Sequence, residues 1–163
     1  MKSIHFPAGI IPAMAAALAL AACGGTTAAS TGASRGAALI HTASVKVSDK
    51  TQTVLKNKAG LTLYYFTPDT ATTIACTGGC ATTWPPLLAD AGTPTSDATL
   101  PGRLSVVEGA NGRQVLYNGH PLYMYSKDGD AGDAYGQGIA GKWFVATPDL
   151  AVASASASSG YRY

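Results

Sequence analysis

Two cysteines, three aspartates and a set of tyrosines and tryptophans are the residues here whose types and spacing could do chemistry. Cys76-Thr-Gly-Gly-Cys80 places two thiols within one short segment, and its glycines permit the tight backbone a small ring needs. In an oxidising compartment such a pair reads as a structural disulfide, worth about 2 kcal/mol in the loop-entropy model. A small strained ring can also exchange with other thiols, so a redox-active pair stands beside that reading. Zinc would need a second pair of ligands, and beyond the first residues the chain offers only His41 and His120.

Asp128-Gly-Asp130-Ala-Gly-Asp133 sets three carboxylates in a glycine-rich loop, a pattern that could gather on calcium. The EF-hand order is not met, since Ile139 stands where the bidentate Glu would be. The plainer reading is a solvated turn whose aspartates bond local backbone N–H groups. His120 and Met124 share one face at a period of two, as copper or haem ligands would, or as core and rim. Tyr64, Trp84, Tyr123, Tyr125 and Trp143, with Asp128 and Asp133, form a candidate ligand surface. Aromatics of this kind also fill small β cores. There is no Gly-x-Ser-x-Gly elbow, no suggestive carboxylate pair and no phosphate loop ahead of a helix. The expectation is a non-enzyme without a resident cofactor, with haem, copper or calcium as the alternatives.

The elements that must position these residues come as a duplicated unit. Gly60-Leu-Thr-Leu-Tyr-Tyr-Phe-Thr-Pro-Asp69 returns as Gly119-His-Pro-Leu-Tyr-Met-Tyr-Ser-Lys-Asp128, and Trp84 returns as Trp143, all at a spacing of 59. Upstream the spacing reads as 61, with Val54-Leu55 matching Val115-Leu116, and the difference falls in one turn. Residues 44–48 alternate polar and apolar, a half-buried strand signal. Thr53-Val-Leu-Lys56 and Leu61-Thr-Leu-Tyr-Tyr-Phe66 read as a hairpin, and so do the segments flanking Asn111-Gly112 and Asn118-Gly119. Both faces of the tyrosine segments are apolar or aromatic, which suits central strands. Trp84-Pro-Pro suits an edge or an extended cover, because proline donates no ladder bond. No helical period follows residue 43. The fold class is therefore all-β: two tandem meander repeats of about four strands each, related by a pseudo-two-fold and closed as a sandwich or barrel.

The flanks carry an address. Lys2, a short apolar run and Leu20-Ala-Ala-Cys23 look like a lipoprotein leader with a lipobox, which makes Cys23 the lipidated residue. Residues 1–22 are then the signal peptide, and 23–42 are a flexible tether of Gly, Ala, Ser and Thr. Residues 43–90 form the first repeat, 91–103 a linker, 104–149 the second repeat, and 150–163 a disordered Ala/Ser tail. Eleven basic residues against nine acidic ones leave no basic stripe for nucleic acid. The membrane link is the lipid, and the partner is an envelope protein or a small ligand.

Cys76-x-x-x-Cys80-x-x-x-Trp84-Pro-Pro, Asn118-Gly-x-Pro-Leu-Tyr123 and Gly132-Asp-x-x-Gly136-Gln-Gly138 ahead of Trp143 resemble the bacterial "secreted repeat of unknown function" lipoprotein family. The resemblance spans residues 45–149 and implies an exported, often lipid-anchored repeat protein. It supplies no reaction and no catalytic residue. The first repeat keeps only Gly79 of the glycine-rich loop and has the cysteine pair there instead.

Overall fold

Alternation at residues 44–48 does produce a strand, and that strand starts earlier than the alternation does. In the computed structural model, which describes residues 38–153, strand β1 spans Ile40–Val47 and pairs antiparallel with β2, Lys50–Asn57. The leader, Cys23 and most of the tether and tail lie outside the described residues. The boundary expected at residue 43 moves to Ile40, for two reasons. Ile40 is fully buried, and the amides of Leu39 and Ile40 both reach the carbonyl of Thr95 in the linker.

The second repeat builds the same hairpin from β4, Leu104–Gly109, and β5, Gly112–Tyr117. Strand β6, His120–Pro121, then folds back on β5 through Asn118 and Gly119. Both turn residues have positive φ (49° and 83°), as a two-residue type I′ turn requires. The first repeat turns through Lys58, Ala59 and Gly60, and Lys56 then bridges Thr62. The amide of Leu55 donates to Ala146 O, and that of Val115 donates to Leu87 O. Leu87 and Ala146 keep the spacing of 59, so the upstream spacing is 60, not 61. The sequence match of Val54-Leu55 with Val115-Leu116 is a one-residue slip, which in a strand would exchange the two faces. Leu55 and Val115 indeed share one apolar cluster, while Val54 belongs to the other.

The two repeats then interlock. Strand β3, Tyr64–Phe66, pairs antiparallel not with its own repeat but with β7, Trp143–Val145, of the other. Reciprocally, Pro86 and Leu88 bridge Tyr123 and Gln114. The proline segment therefore serves as the extended cover its composition suggested. Three small sheets result, β1–β2, β3–β7 and β4–β5–β6, joined by isolated bridges, with no closed barrel among the described residues. The class is all-β, with three strands in the first repeat and four in the second. Two short helices interrupt it, α1 at Gly79–Thr83 and a 3-10 turn at Ile139–Gly141. The sequence shows no helical period after residue 43, and neither helix is long enough to give one.

The expected tail is also tied down at its start. Asn118 Nδ2 donates to Leu150 O at 2.7 Å, and the Ala153 amide donates to Asn118 O at 2.8 Å.

Candidate functional site

Tyr64 and Tyr123 occupy equivalent places in the two repeats, and the fold sets them side by side. Their backbones exchange both hydrogen bonds, Tyr64 N to Tyr123 O at 2.8 Å and the reverse at 2.9 Å. Each phenol then crosses to the other repeat: Tyr64 donates to Asp128 Oδ2 and Tyr123 to Asp69 Oδ2, both at 2.5 Å. The aspartates reach those positions through one turn repeated twice, in which the Asp69 amide bonds Phe66 O and the Asp128 amide bonds Tyr125 O. Their remaining oxygens accept from Ala75 N and Tyr135 N. Burial raises the pKa of both carboxyls above the usual range, against the opposing effect of the phenol bonds. Burial, then the facing carboxylate, pushes both phenols well up.

The tryptophans obey the same axis. Trp84 and Trp143 stack with ring centres 3.8 Å apart and planes 1° from parallel. Tyr125 caps Trp84 at 4.4 Å and Phe66 caps Trp143 at 4.3 Å, which makes a stack of four rings. Tyr64 meets Trp84 edge-on at 5.5 Å, and Tyr123 meets Trp143 likewise at 5.2 Å. Aromatic contacts of this kind add about 0.5–1.5 kcal/mol each beyond the area they bury.

This overturns the candidate ligand surface. Tyr64, Trp84, Tyr123, Tyr125, Asp128 and Trp143 are all buried, the most open of them, Tyr125, at 8% exposure. Strands apolar on both faces are covered on both sides, and here each repeat covers the other. Of that set only Asp133 reaches solvent, and its Oδ2 accepts from the amides of Gly129 and Asp130, both at 2.9 Å. Those two N–H groups, Asp130 first, hold its pKa below the usual value. The local-turn reading of the Asp loop is thus what the geometry contains. Among the described residues no three His, Cys, Asp or Glu side chains gather as a metal site.

The sequence profile described as "secreted repeat of unknown function" matches residues 45–88 and again residues 105–147. The chain belongs to this family. No curated protein and no solved structure matches it. Membership carries export, in keeping with the oxidised pair at Cys76–Cys80, whose Cα atoms lie 5.2 Å apart. In this secreted-repeat chain the disulfide supports the stack. Cys76 is fully buried in the tryptophan cluster, Cys80 packs against it, and Cys80 O accepts the Trp84 amide. In the second repeat Ile139 does the packing of Cys80, while Tyr135, aligned with Cys76, is 67% exposed.

Sequence reasoning missed Lys56, Thr62 and Asp69. Lys56 is 2% exposed, and its ammonium donates to Thr62 Oγ1 and Ala131 O, both at 2.7 Å. The Thr62 hydroxyl continues to Asp133 O. Desolvation lowers the Lys56 pKa, opposed by Asp128 and then Asp133. A buried ammonium beneath the Asp loop works against a divalent cation there. The readable signal was the difference between the repeats, since Leu116 and Pro121 occupy the matching places. For Asp69 it was the recurrence of Tyr and Asp five positions apart in both copies.

His120 lies against the Tyr65 ring at 4.9 Å, with Nε2 on Ala151 O at 3.1 Å and a buried Nδ1 that meets no partner among the described residues. Burial lowers its pKa. Met124 packs at the rim of the other apolar cluster. A groove of about 450 Å³ is lined by Thr95, Ser96, Leu100, Arg103 and their neighbours, away from the aromatic core.

Proposed function

We propose that this secreted-repeat chain is a lipid-anchored module of the cell envelope that works by binding or by structure rather than by catalysis. The reciprocal pairing of Tyr64 with Asp128 and Tyr123 with Asp69 carries this reading. The groups best suited to acid–base work are buried and hydrogen-bonded to one another, so cohesion accounts for them. Leu20-Ala-Ala-Cys23 supports the anchor, and one acyl group contributes about 0.8 kcal/mol per buried CH₂. The partner is an envelope protein or a small ligand met at the exposed loops. Expression of the full precursor in a bacterial host with a clickable fatty acid tests the anchor. Wild type should carry the label and sediment with membranes, and Cys23→Ala should lose both properties. An unlabelled, soluble wild type would refute the anchor.

A second reading makes Cys76–Cys80 a redox pair, favoured by the partial exposure of Cys80 next to the tryptophan cluster. Equilibration with thiol–disulfide buffers separates the two. A disulfide that stays oxidised at potentials well below that of the envelope leaves it structural.

A further inference from the structure

The contacts that join the two repeats pair equivalent residues: Tyr64 with Tyr123, Trp84 with Trp143, and each tyrosine with the other repeat's aspartate. Self-complementary contacts about a two-fold axis make an isologous interface, the arrangement two identical subunits adopt. Here one chain supplies both halves, tied by residues 91–103. We propose that this face also takes the matching repeat of a second copy, so that two chains exchange repeats and close as a dimer. Every hydrogen bond and stack between the tyrosines, aspartates and tryptophans is then kept, and the linker changes its path, giving up bonds such as those of Leu39 and Ile40 to Thr95 O. Extended at about 3.3 Å per residue, that linker reaches about 40 Å, enough to deliver a repeat to a neighbouring chain.

The differences between the repeats set which halves can meet. A Cβ at Gly136 would lie 2.7 Å from Tyr64 Cε1 and 2.9 Å from Trp84 Cη2. A pairing of two first repeats would put Thr77, the equivalent of Gly136, into that space. It would also set Ile74 in the place of Asp133 above the buried Lys56. A pairing of two second repeats would set Leu116 and Pro121 where Lys56 and Thr62 now donate to Ala131 O and Asp133 O. Both like pairings carry a clash or lost hydrogen bonds. The exchange is therefore first repeat with second, and the lysine–aspartate side of the axis is what discriminates.

The test uses two full-length chains that bear different tags and Cys23→Ser, so that no lipid aggregates them. They are unfolded together in guanidinium with the disulfide intact, then refolded dilute and concentrated. The expected result is a doubly tagged dimer with native tryptophan fluorescence, its fraction rising in proportion to the concentration at refolding and persisting after dilution. Monomer alone at every concentration, or oligomers without the native spectrum, would overturn the proposal. A second measurement cuts the linker at a protease site inserted after Gly92, which is exposed. The halves should co-elute and their melting temperature should fall on dilution. Halves that separate or unfold on cleavage would also overturn it.

Discussion

Tyr64→Phe and Tyr123→Phe each remove one hydroxyl and leave a buried carboxylate oxygen without its donor. Each should cost about 1–3 kcal/mol, read by urea denaturation. Each hydroxyl also meets a second donor, the Gly136 amide at Tyr64 and the Gln114 side chain at Tyr123, which either substitution would leave without that acceptor. Asp69 adds a pH signature. Burial raises its folded-state pKa above the ordinary 3.8, despite the bond from Tyr123. A carboxyl that binds its proton more readily when folded contributes stability that is full below the unfolded value and is lost as pH rises through the folded one. The stability of wild type relative to Asp69→Asn should therefore fall between acid and neutral pH. Melting temperatures of both proteins across that range check it, and a gap that widens toward neutral pH would reverse the sign. The tyrosines and Asp128 were legible as special residues, because the chain repeats them. Their burial was not, since it depends on a partner 64 residues away in the chain. Lys56 was invisible for a related reason: lysine reads as a solvated residue until its acceptors, one of them 75 residues distant, are known.

At the scale of elements, the Cys76–Cys80 staple and Gly136 perform opposite services for the same stack. The disulfide braces the segment that leads into Trp84. Cys76→Ser with Cys80→Ser should lower stability by about 2 kcal/mol in the loop-entropy model, while the tryptophan emission of the native state is kept. Gly136 instead leaves room. Gly136→Ala would drive a methyl into the rings of Tyr64 and Trp84, an overpacking that typically costs about 1–3 kcal/mol. Thermal or urea melts measure both. The two hairpins of the second repeat were readable because Asn-Gly is a local signal, whereas the β1–β2 hairpin, which turns at Ser48 and Asp49, carries no such mark. The disulfide was readable because so short a spacing leaves little choice. Helix α1 was not, since Gly79–Thr83 spans too little chain to show a period and buries none of its residues. The pairing of β3 with β7 was equally hidden, because sequence marks a strand but not its neighbour.

Over the whole molecule, duplication was the most legible property, and interlocking was the least. Sequence shows two similar units in tandem, which by itself suits two independent beads as well as one shared core. The structure joins them: β3 pairs with β7, the proline segment bridges the second repeat, and the only two tryptophans, one per repeat, stack on each other. Neither half then has a complete core of its own, so the described residues should unfold as a single cooperative unit. The most direct test is urea denaturation of the chain followed by tryptophan fluorescence and by far-ultraviolet circular dichroism. Fluorescence reports the stacked pair between the repeats, and dichroism reports the strands of both. One transition with coincident midpoints is the expected result. Fluorescence changing at lower urea than dichroism, with each repeat keeping its strands after the tryptophans part, would contradict a core shared by the two.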